Sequence, residues 1–280
     1  ADARVVGGAV IGAAARGRRI GRAALVAALC VFGGVTNATA QLRGGGYVEP
    51  LTEEELTTAR LALVKEHIAP EIESEAVVKA METVPRHLFV RPQDRDRAYR
   101  NSPLPIGNDQ TISQPIVVAI MTYLLKIEPG DKVLEVGTGS GYQAAVLAHL
   151  GAEVWSIEIL PDVAEFGAAN LKAAGYDENV HLRVGDGYLG WPEAAPFDGI
   201  IVTCAPDHVP GPLQEQLAEG GKLVIPVGER HGVQELILIE KENGELVRRG
   251  VIPVRFVPMT GMAQEDGSEA APTGEAAGDE

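Results

Sequence analysis

The residues best suited to chemistry lie in one short segment, 133–143, which reads VLEVGTGSGYQ. An apolar strand that contains an acid near its end, Glu135, runs into glycines at alternate positions, namely Gly137, Gly139 and Gly141. Glycines let the backbone turn sharply and approach a ligand closely, and the N–H groups of a following helix, at about 142–150, point at the same place. The segment therefore predicts a cradle for a nucleotide-type ligand, with a plain strand-to-helix turn as the alternative.

The spacing argues against a dinucleotide, because the third glycine of GxGxxG would fall at Tyr142. The acid-x-GxGxG pattern that remains resembles the first motif of S-adenosylmethionine-dependent methyltransferases. This resemblance implies S-adenosyl-L-methionine as the cofactor. It also implies that the whole segment contacts it, including Glu135, Thr138 and Ser140 beside the glycines.

Two later acids follow strands at the places where such a fold needs them. Glu158 ends the strand VWSIEI, about 20 residues past the first glycine, where an acid can accept both ribose hydroxyls. Asp186 lies in VGDGY and, with Gly187, is the candidate contact for the adenine amino group. The alternatives are a solvated acid at a strand end for Glu158 and an ordinary Asp-Gly turn for Asp186.

Strands near positions 132, 153, 180, 198 and 222 alternate with helical segments, which predicts an α/β fold. We expect a Rossmann-like, doubly wound and mostly parallel seven-stranded sheet with an N-terminal helical region. Segment 217–228, LAEGGKLVIPVG, is predicted as a helix end, a Gly-Gly turn and another strand. Upstream, Leu61, Val64 and Ile68 are expected to share one face of a helix that starts near Thr52. Val77, Val78 and Met81 are expected to share one face of a second helix that stops before Pro85, and both helices are expected to cover the cofactor site or the sheet.

Composition excludes several classes of protein. The chain has 280 residues, 45% of them hydrophobic, with a net charge of −15 and a pI near 4.9. A duplex nucleic-acid binder needs a basic face, so nucleic acid is not an expected partner. Two distant cysteines, Cys30 and Cys204, and six scattered histidines predict neither a disulfide framework nor a metal site. Nothing in the pattern specifies an oligomeric state.

The two ends of the chain differ from its middle. Residues 1–49 are rich in arginine, and residues 265–280 carry six acids and no base, so both are expected to be disordered. The basic run GRRIGR and an apolar stretch at 23–35 precede Ala38-Thr39-Ala40, so residues 16–40 have the layout of an export signal, with a low-complexity leader as the alternative. The apolar stretch is too short for a stable membrane span. We expect a cytoplasmic protein because the methyl donor is made there, with export as the alternative.

The segments outside the glycine motif carry a more specific resemblance. In order along 51–264, the chain is similar to bacterial protein-L-isoaspartate O-methyltransferases in VPRHLFV, PLPIG, QTISQP, VTCAP, GGKLVIPVG and VRFVPMTG. QTISQP is the most diagnostic of these. The chain departs from the family at Ile116, where an aromatic residue is common, at Asn108-Asp109, where a Gly-rich lead is usual, and at Cys204, where alanine is typical.

The resemblance implies an activity and a set of residues. The activity is methyl transfer to the free carboxylate of L-isoaspartyl and D-aspartyl residues in damaged proteins, with S-adenosyl-L-homocysteine as the other product. Residues 50–115 would form a helical and loop region for the substrate, and residues 116–264 the Rossmann-like core. Ser113 would be the catalytic residue. The further cofactor contacts would be Gln110, Thr111, Ile112, Ser113 and Thr260.

Each of these implied roles has an alternative. Ser113 is also placed to cap the helix that follows it. The segment 256–258 is a candidate for pairing with the substrate backbone, or an ordinary closing strand. A related methyltransferase with another acceptor and a non-catalytic cofactor-binding module remain the alternative functions. Because a carboxylate is already ionised at neutral pH, the reaction needs no strong base and depends on positioning and water exclusion.

Overall fold

The computed structural model describes residues 50–230 and 232–264. The expected leader at 1–49, with its export-signal-like residues and Cys30, and the acidic tail at 265–280 lie outside these residues. Within the described ranges, no helix combines the length and the apolar character needed to cross a membrane.

Six α-helices and nine strands make up most of the described chain. The helices are α1 (Glu53–Leu63), α2 (Glu75–Thr83), α3 (Pro115–Leu125), α4 (Tyr142–His149), α5 (Pro161–Ala174) and α6 (Gly211–Glu215). The strands are β1 (Leu104–Gly107), β2 (Gln110–Ile112), β3 (Lys132–Val136), β4 (Glu153–Glu158), β5 (Val180–Val184), β6 (Phe197–Val202), β7 (Leu217–Val227), β8 (Gln234–Glu242) and β9 (Glu245–Val254).

A seven-stranded sheet with the order β5-β4-β3-β6-β7-β8-β9 forms the centre of the fold. The first five strands are parallel, and β8 and β9 are antiparallel to their neighbours. The central strands β3 and β6 read as nearly continuous apolar runs and are buried, as parallel strands covered on both faces require. The predicted fold class, α/β and Rossmann-like, is confirmed.

The sheet order creates a crevice at one edge of the sheet. From β3 the chain moves outwards through β4 and β5, and then crosses back to place β6 on the other side of β3. The carboxyl ends of β3 and β6 therefore lie at a topological switch point, where open α/β sheets bind their ligands.

The N-terminal helices pack on the helical layer of the fold. Helix α1 begins with a capping box, in which Thr52 and Glu55 each accept from the other's backbone N–H, and it continues as a π-helix over Val64–Ile68. The expected face was wrong at Leu61, which is 45% exposed, while Val64 and Ile68 are buried. The π turn shifts the periodicity that the prediction assumed. Helix α2 packs mainly on α3 and α4, so it covers the helical layer rather than the sheet itself.

The hairpin of β1 and β2 explains one departure from the family pattern. Its two turn residues, Asn108 and Asp109, have φ of +49° and +56°, and Gly107 pairs with Gln110 across them. A two-residue hairpin turn of this kind needs positive φ at both positions, which Asn and Asp tolerate better than most residues. The substitution of a Gly-rich lead by Asn-Asp is therefore compatible with the same hairpin.

The prediction for 217–228 was wrong in one respect. Helix α6 ends at Glu215, and Leu217 already pairs with Phe197 in the sheet. The next residue of β6 in register, Gly199, pairs with Lys222, so the intervening residues form an irregularity within β7. Gly220, with φ of +78°, allows the strand to recover its register instead of marking a turn between two elements.

Candidate active site

A cavity of about 800 Å³, counted with its open mouth, occupies the crevice at the ends of β3 and β6. The sequence-predicted residues that line it are Gln110, Thr111, Ile112, Ser113, Gly137, Thr138, Gly139, Ser140, Glu158, Gly187 and Thr260. Three others, Glu135, Gly141 and Asp186, lie outside the lining. The hairpin segment QTIS and the glycine loop thus face one space.

Two glycines of the loop, Gly137 and Gly141, have no room for a side chain. Gly137 has φ of +95°, and a Cβ on it would lie 2.4 Å from Thr203 Oγ1. Gly141, which precedes α4, has φ of +84°, and a Cβ there would lie 2.9 Å from Leu171 Cγ. Gly141 therefore supports the loop from behind rather than lining the cavity. Because the loop runs directly into α4, it places that helix's N-terminal backbone beside the cavity.

Glu158 is held at the wall of the cavity by two backbone groups. Its Oε2 accepts from Gly139 N at 2.9 Å, and its Oε1 accepts from Leu160 N at 3.1 Å. These bonds tie the end of β4 to the glycine loop and fix the carboxylate, which is 7% exposed. Each carboxylate oxygen keeps a further acceptor site, so the predicted pairing with ribose hydroxyls is compatible with this arrangement.

Glu135 lies beneath the loop and is completely buried. Its Oε2 accepts from Ser156 Oγ, and Ser156 Oγ lies 2.6 Å from Thr138 Oγ1. Burial raises the pKa of Glu135 to about 8, so the carboxyl group is largely protonated at neutral pH. Glu135 does not line the cavity, because its strand turns the side chain away from it. The side chain supports the glycine loop from beneath.

Asp186 joins two backbone segments next to the cavity. Its Oδ1 accepts from Tyr188 N at 2.9 Å, and its Oδ2 accepts from Met262 N at 2.8 Å. It thereby fastens the closing 3-10 turn Gly261–Gln264 to the end of β5. Gly187, the next residue, does line the cavity, and a Cβ on it would lie 2.4 Å from Val136 Cγ1.

Ser113 lines the cavity and does not occupy the capping position of α3. The cap residue is Gln114, and it makes no side-chain capping bond. The N–H of Ile116, in the first turn, donates to Asn101 Oδ1 at 3.2 Å instead. The alternative role of Ser113 as a helix cap is therefore absent from the structure. Ile116 itself is buried in the core and takes no part in the lining, so this departure from the family pattern leaves the cavity wall intact.

The end of β6 contributes Thr203, which the sequence reasoning did not single out, and Cys204, which it named only as a departure from the family pattern. Thr203 Oγ1 donates to Gly137 O at 2.7 Å and so braces the glycine loop from the neighbouring strand. Cys204 also lines the cavity. Burial, followed by the nearby carboxylates of Glu158 and Asp186, raises the pKa of its thiol, which stays protonated at neutral pH. The sequence feature that could have identified both residues is the VTCAP motif, which lies at the carboxyl end of a strand beside β3.

The closing segment after β9 forms the remaining wall. Ala205 N donates to Val257 O at 2.8 Å, and Met259 N donates to Ala205 O at 2.9 Å. Phe256 N donates to Gln234 Oε1 at 2.9 Å. These three bonds leave fewer backbone groups for pairing with a substrate than a free strand edge has, so that role stays a prediction. Among the described residues, no group of three or more His, Cys, Asp or Glu side chains is placed to hold a metal ion.

A glycine-lined cavity at the switch point of this mostly parallel sheet defines a Rossmann-like fold that binds a nucleotide-type ligand. The family model described as protein-L-isoaspartate(D-aspartate) O-methyltransferase (PCMT) matches residues 58–264, and the chain belongs to that family.

Relatives and a solved structure agree with this assignment. The chain is 55% identical over 209 residues to the protein-L-isoaspartate O-methyltransferase of Opitutus terrae, covering 74% of this chain and 89% of that one. It is 52% identical over 220 residues to protein-L-isoaspartate O-methyltransferase 1 of Nitrosospira multiformis, covering 77% and 93%. A solved Plasmodium falciparum protein-L-isoaspartate O-methyltransferase in complex with S-adenosyl-L-homocysteine has a TM-score of 0.64 at 26% identity, covering 72% and 98%.

Proposed function

We propose that the protein transfers a methyl group from S-adenosyl-L-methionine to the free carboxylate of L-isoaspartyl and D-aspartyl residues in damaged proteins. The observation that carries the proposal is the shared cavity, in which Ser113 of the QTIS segment and residues Gly137 to Ser140 of the glycine loop meet. Membership of the isoaspartyl methyltransferase family and the activity for which its relatives are named support the same reaction.

The described residues fit the proposed cofactor. Gly137 and Gly187 line the cavity, and neighbouring side chains leave no space for a Cβ on either, so bare backbone faces the ligand there. We assign the Glu158 carboxylate, which lies at the cavity wall, to the ribose hydroxyls, and Gly187 to the adenine side. When bound, S-adenosyl-L-methionine supplies the methyl group on a positively charged sulfur. Thr111 and Thr260, which also line the cavity, complete the proposed contacts.

Ser113 is the proposed catalytic residue. The acceptor carboxylate has an ordinary pKa of about 4 and is ionised at neutral pH, so no general base is needed. The Ser113 hydroxyl donates a hydrogen bond to one carboxylate oxygen and directs the other towards the methyl group. A new bond forms between the directed oxygen and the methyl carbon while the bond between the methyl carbon and sulfur breaks. The electron pair of the broken bond stays on sulfur. The rate then depends on alignment and on the exclusion of water.

The later repair steps need no further group from the protein. In the methyl ester, the neighbouring amide nitrogen attacks the ester carbonyl within the same chain and expels methanol, which closes a succinimide ring. Hydrolysis of the ring regenerates aspartyl and isoaspartyl products. The proposed role of the active site is therefore the esterification alone.

The test is tritiated methyl transfer to two matched peptides, one with isoaspartate and one with aspartate at the same position. We expect base-labile label on the isoaspartyl peptide alone. Ser113→Ala should lower kcat at least about tenfold, because alignment is lost, while the melting temperature stays unchanged. Label on neither peptide, with the cofactor product still bound, would contradict the proposed acceptor.

The proposal includes a cytoplasmic location, because the methyl donor is made there. The export-signal-like residues 16–40 leave secretion as the alternative. N-terminal sequencing of the protein isolated from its cells decides between them. A mature chain that starts just after Ala40 would refute the cytoplasmic location.

A further inference from the structure

We propose that Asn101 is a positioning residue for Ser113, which deepens the proposed function and rests on it. Asn101 makes two hydrogen bonds to the start of α3. Its Oδ1 accepts from Ile116 N at 3.2 Å, and its backbone O accepts from Gln114 Nε2 at 3.0 Å. Ser113 is the residue immediately before Gln114. Asn101 therefore clamps the chain directly after the proposed catalytic serine.

The clamp takes the place of a local helix cap. The first N–H groups of a helix have no partner within it, and a side chain usually supplies one. In α3 the cap residue, Gln114, makes no such bond, and the Ile116 N–H is satisfied by a residue 15 positions upstream. Because this capping comes from another segment, the Ser113 hydroxyl is left to line the cavity.

The loop that carries Asn101 is itself held by the buried side chain of Arg86. Arg86 Nε donates to Ala98 O at 2.9 Å, and Arg86 Nη2 donates to Ser102 O at 3.5 Å, on either side of Asn101. The guanidinium is fully buried. Burial lowers the pKa of Arg86 to about 10, so the group is still a cation at neutral pH. Its planar, fixed set of donors suits it to hold two carbonyl groups in one geometry.

The same guanidinium also contacts the cofactor side of the cavity. Its central carbon lies 5.0 Å from the centre of the Tyr142 ring, and Tyr142 follows the glycine loop and lines the cavity. Arg86 thus contacts both the loop that orients Ser113 and the wall beside the cofactor cradle. Such a connection matters for this reaction, because a misplacement of about 1 Å between reacting groups can cost about 100-fold in rate.

The first arm of the experiment compares substitutions of Asn101. Asn101→Ala removes the oxygen that accepts from Ile116 N, and we expect kcat to fall about tenfold with less than a twofold change in KM for the isoaspartyl peptide or in affinity for S-adenosyl-L-homocysteine. Asn101→Asp keeps an oxygen at the same place, so it should restore kcat to within about twofold.

The matched control is Ser74→Ala. Ser74 Oγ accepts from Val77 N at 3.3 Å and caps α2, away from the cavity lining. This substitution also removes one helix cap, so it should lower the melting temperature as Asn101→Ala does. Its kcat at the assay temperature should equal that of the unsubstituted protein. An equal fall in kcat for both variants would mean that the loss follows from stability, and the positioning role would be refuted.

The second arm is a double-mutant cycle with Ser113→Ala. If Asn101 acts through Ser113, Asn101→Ala should cause no further loss in the Ser113→Ala background. A second tenfold loss of kcat on adding Asn101→Ala to the Ser113→Ala variant would overturn the proposal. If Ser113→Ala has no measurable turnover, the deciding result is Asn101→Asp: its failure to restore kcat would overturn the proposal. An unsubstituted protein that labels no isoaspartyl peptide refutes the proposed function. One that labels it, while Asn101→Ala keeps full kcat, refutes the positioning role alone.

Discussion

The buried carboxyl group of Glu135 should make the stability of this protein fall as the pH rises. Glu135 lies beneath the glycine loop, where it accepts from Ser156 Oγ and has no exposure to solvent. Its folded-state pKa of about 8 compares with 4.5 for an unperturbed glutamate. The folded state therefore binds this proton more tightly than the unfolded state does, and stability decreases with pH wherever that difference holds.

The size of this loss of stability follows from the folded-state and unfolded-state pKa values of Glu135. Below about pH 4.5 Glu135 is protonated in both the folded and the unfolded state, and its burial has no pH-dependent effect on stability. Above about pH 8 Glu135 is ionised in both states, and the full loss of unfolding free energy applies. At about 1.4 kcal/mol per pKa unit, the full cost is about 5 kcal/mol, of which about 4 kcal/mol develops between pH 5 and pH 9. Ionisation would also place a charge beside Glu158, which supports the loop from its other side.

The assay is denaturant unfolding of the original chain and of Glu135→Gln between pH 5 and pH 9. The amide of Glu135→Gln cannot ionise. As the pH rises, the unfolding free energy of the original chain should therefore fall relative to that of Glu135→Gln. Groups such as Arg86, whose pKa is lowered to about 10, are common to both proteins and cancel in the difference. Parallel stability curves for the two proteins would refute the raised pKa and the reasoning from burial.

Two further predictions concern backbone conformation. Gly137→Ala should lower the affinity for S-adenosyl-L-homocysteine by about 100-fold or more in calorimetry, because its Cβ would lie 2.4 Å from Thr203 Oγ1 at a φ of +95°. Gly211→Ala, with nothing within 4 Å of the added Cβ, should bind normally, and equal affinities for the two variants would contradict the steric argument. Asp109→Gly should raise the unfolding free energy by up to about 1 kcal/mol, since glycine adopts its φ of +56° without strain. A loss of stability would show that the Asp side chain contributes more than its backbone conformation costs.

The sequence was sufficient for the features that depend on local spacing. Alternation of apolar strands with helical segments predicted the α/β sheet, because each strand and helix is recognisable from neighbouring residues. The glycine loop and Glu158 could be predicted as neighbours, since the carboxyl ends of adjacent parallel strands meet at one edge of a sheet. The position of Ser113 beside that loop came from the resemblance of QTISQP to a family, and not from any periodicity.

Other features depend on contacts between distant segments. Asp186 meets the N–H of Met262, which is 76 residues away, and Thr203 braces Gly137 from 66 residues away. No local pattern encodes such pairs, because they arise only when the crossovers bring separate strand ends together. The exposure of Leu61 also depended on a π turn that the helical period does not reveal.

The cavity shows most clearly which features the sequence determines by itself and which features depend on the tertiary structure. The types and order of the residues in 133–143 determined that a ligand cradle forms, because glycine conformations and strand ends are local properties. Only the tertiary structure decided that Glu135 faces away from that cradle, and that Asn101 rather than Ser113 satisfies the first turn of α3. The direction of a side chain and the partner of an unsatisfied N–H depend on what packs against them, and that is settled when the whole chain folds.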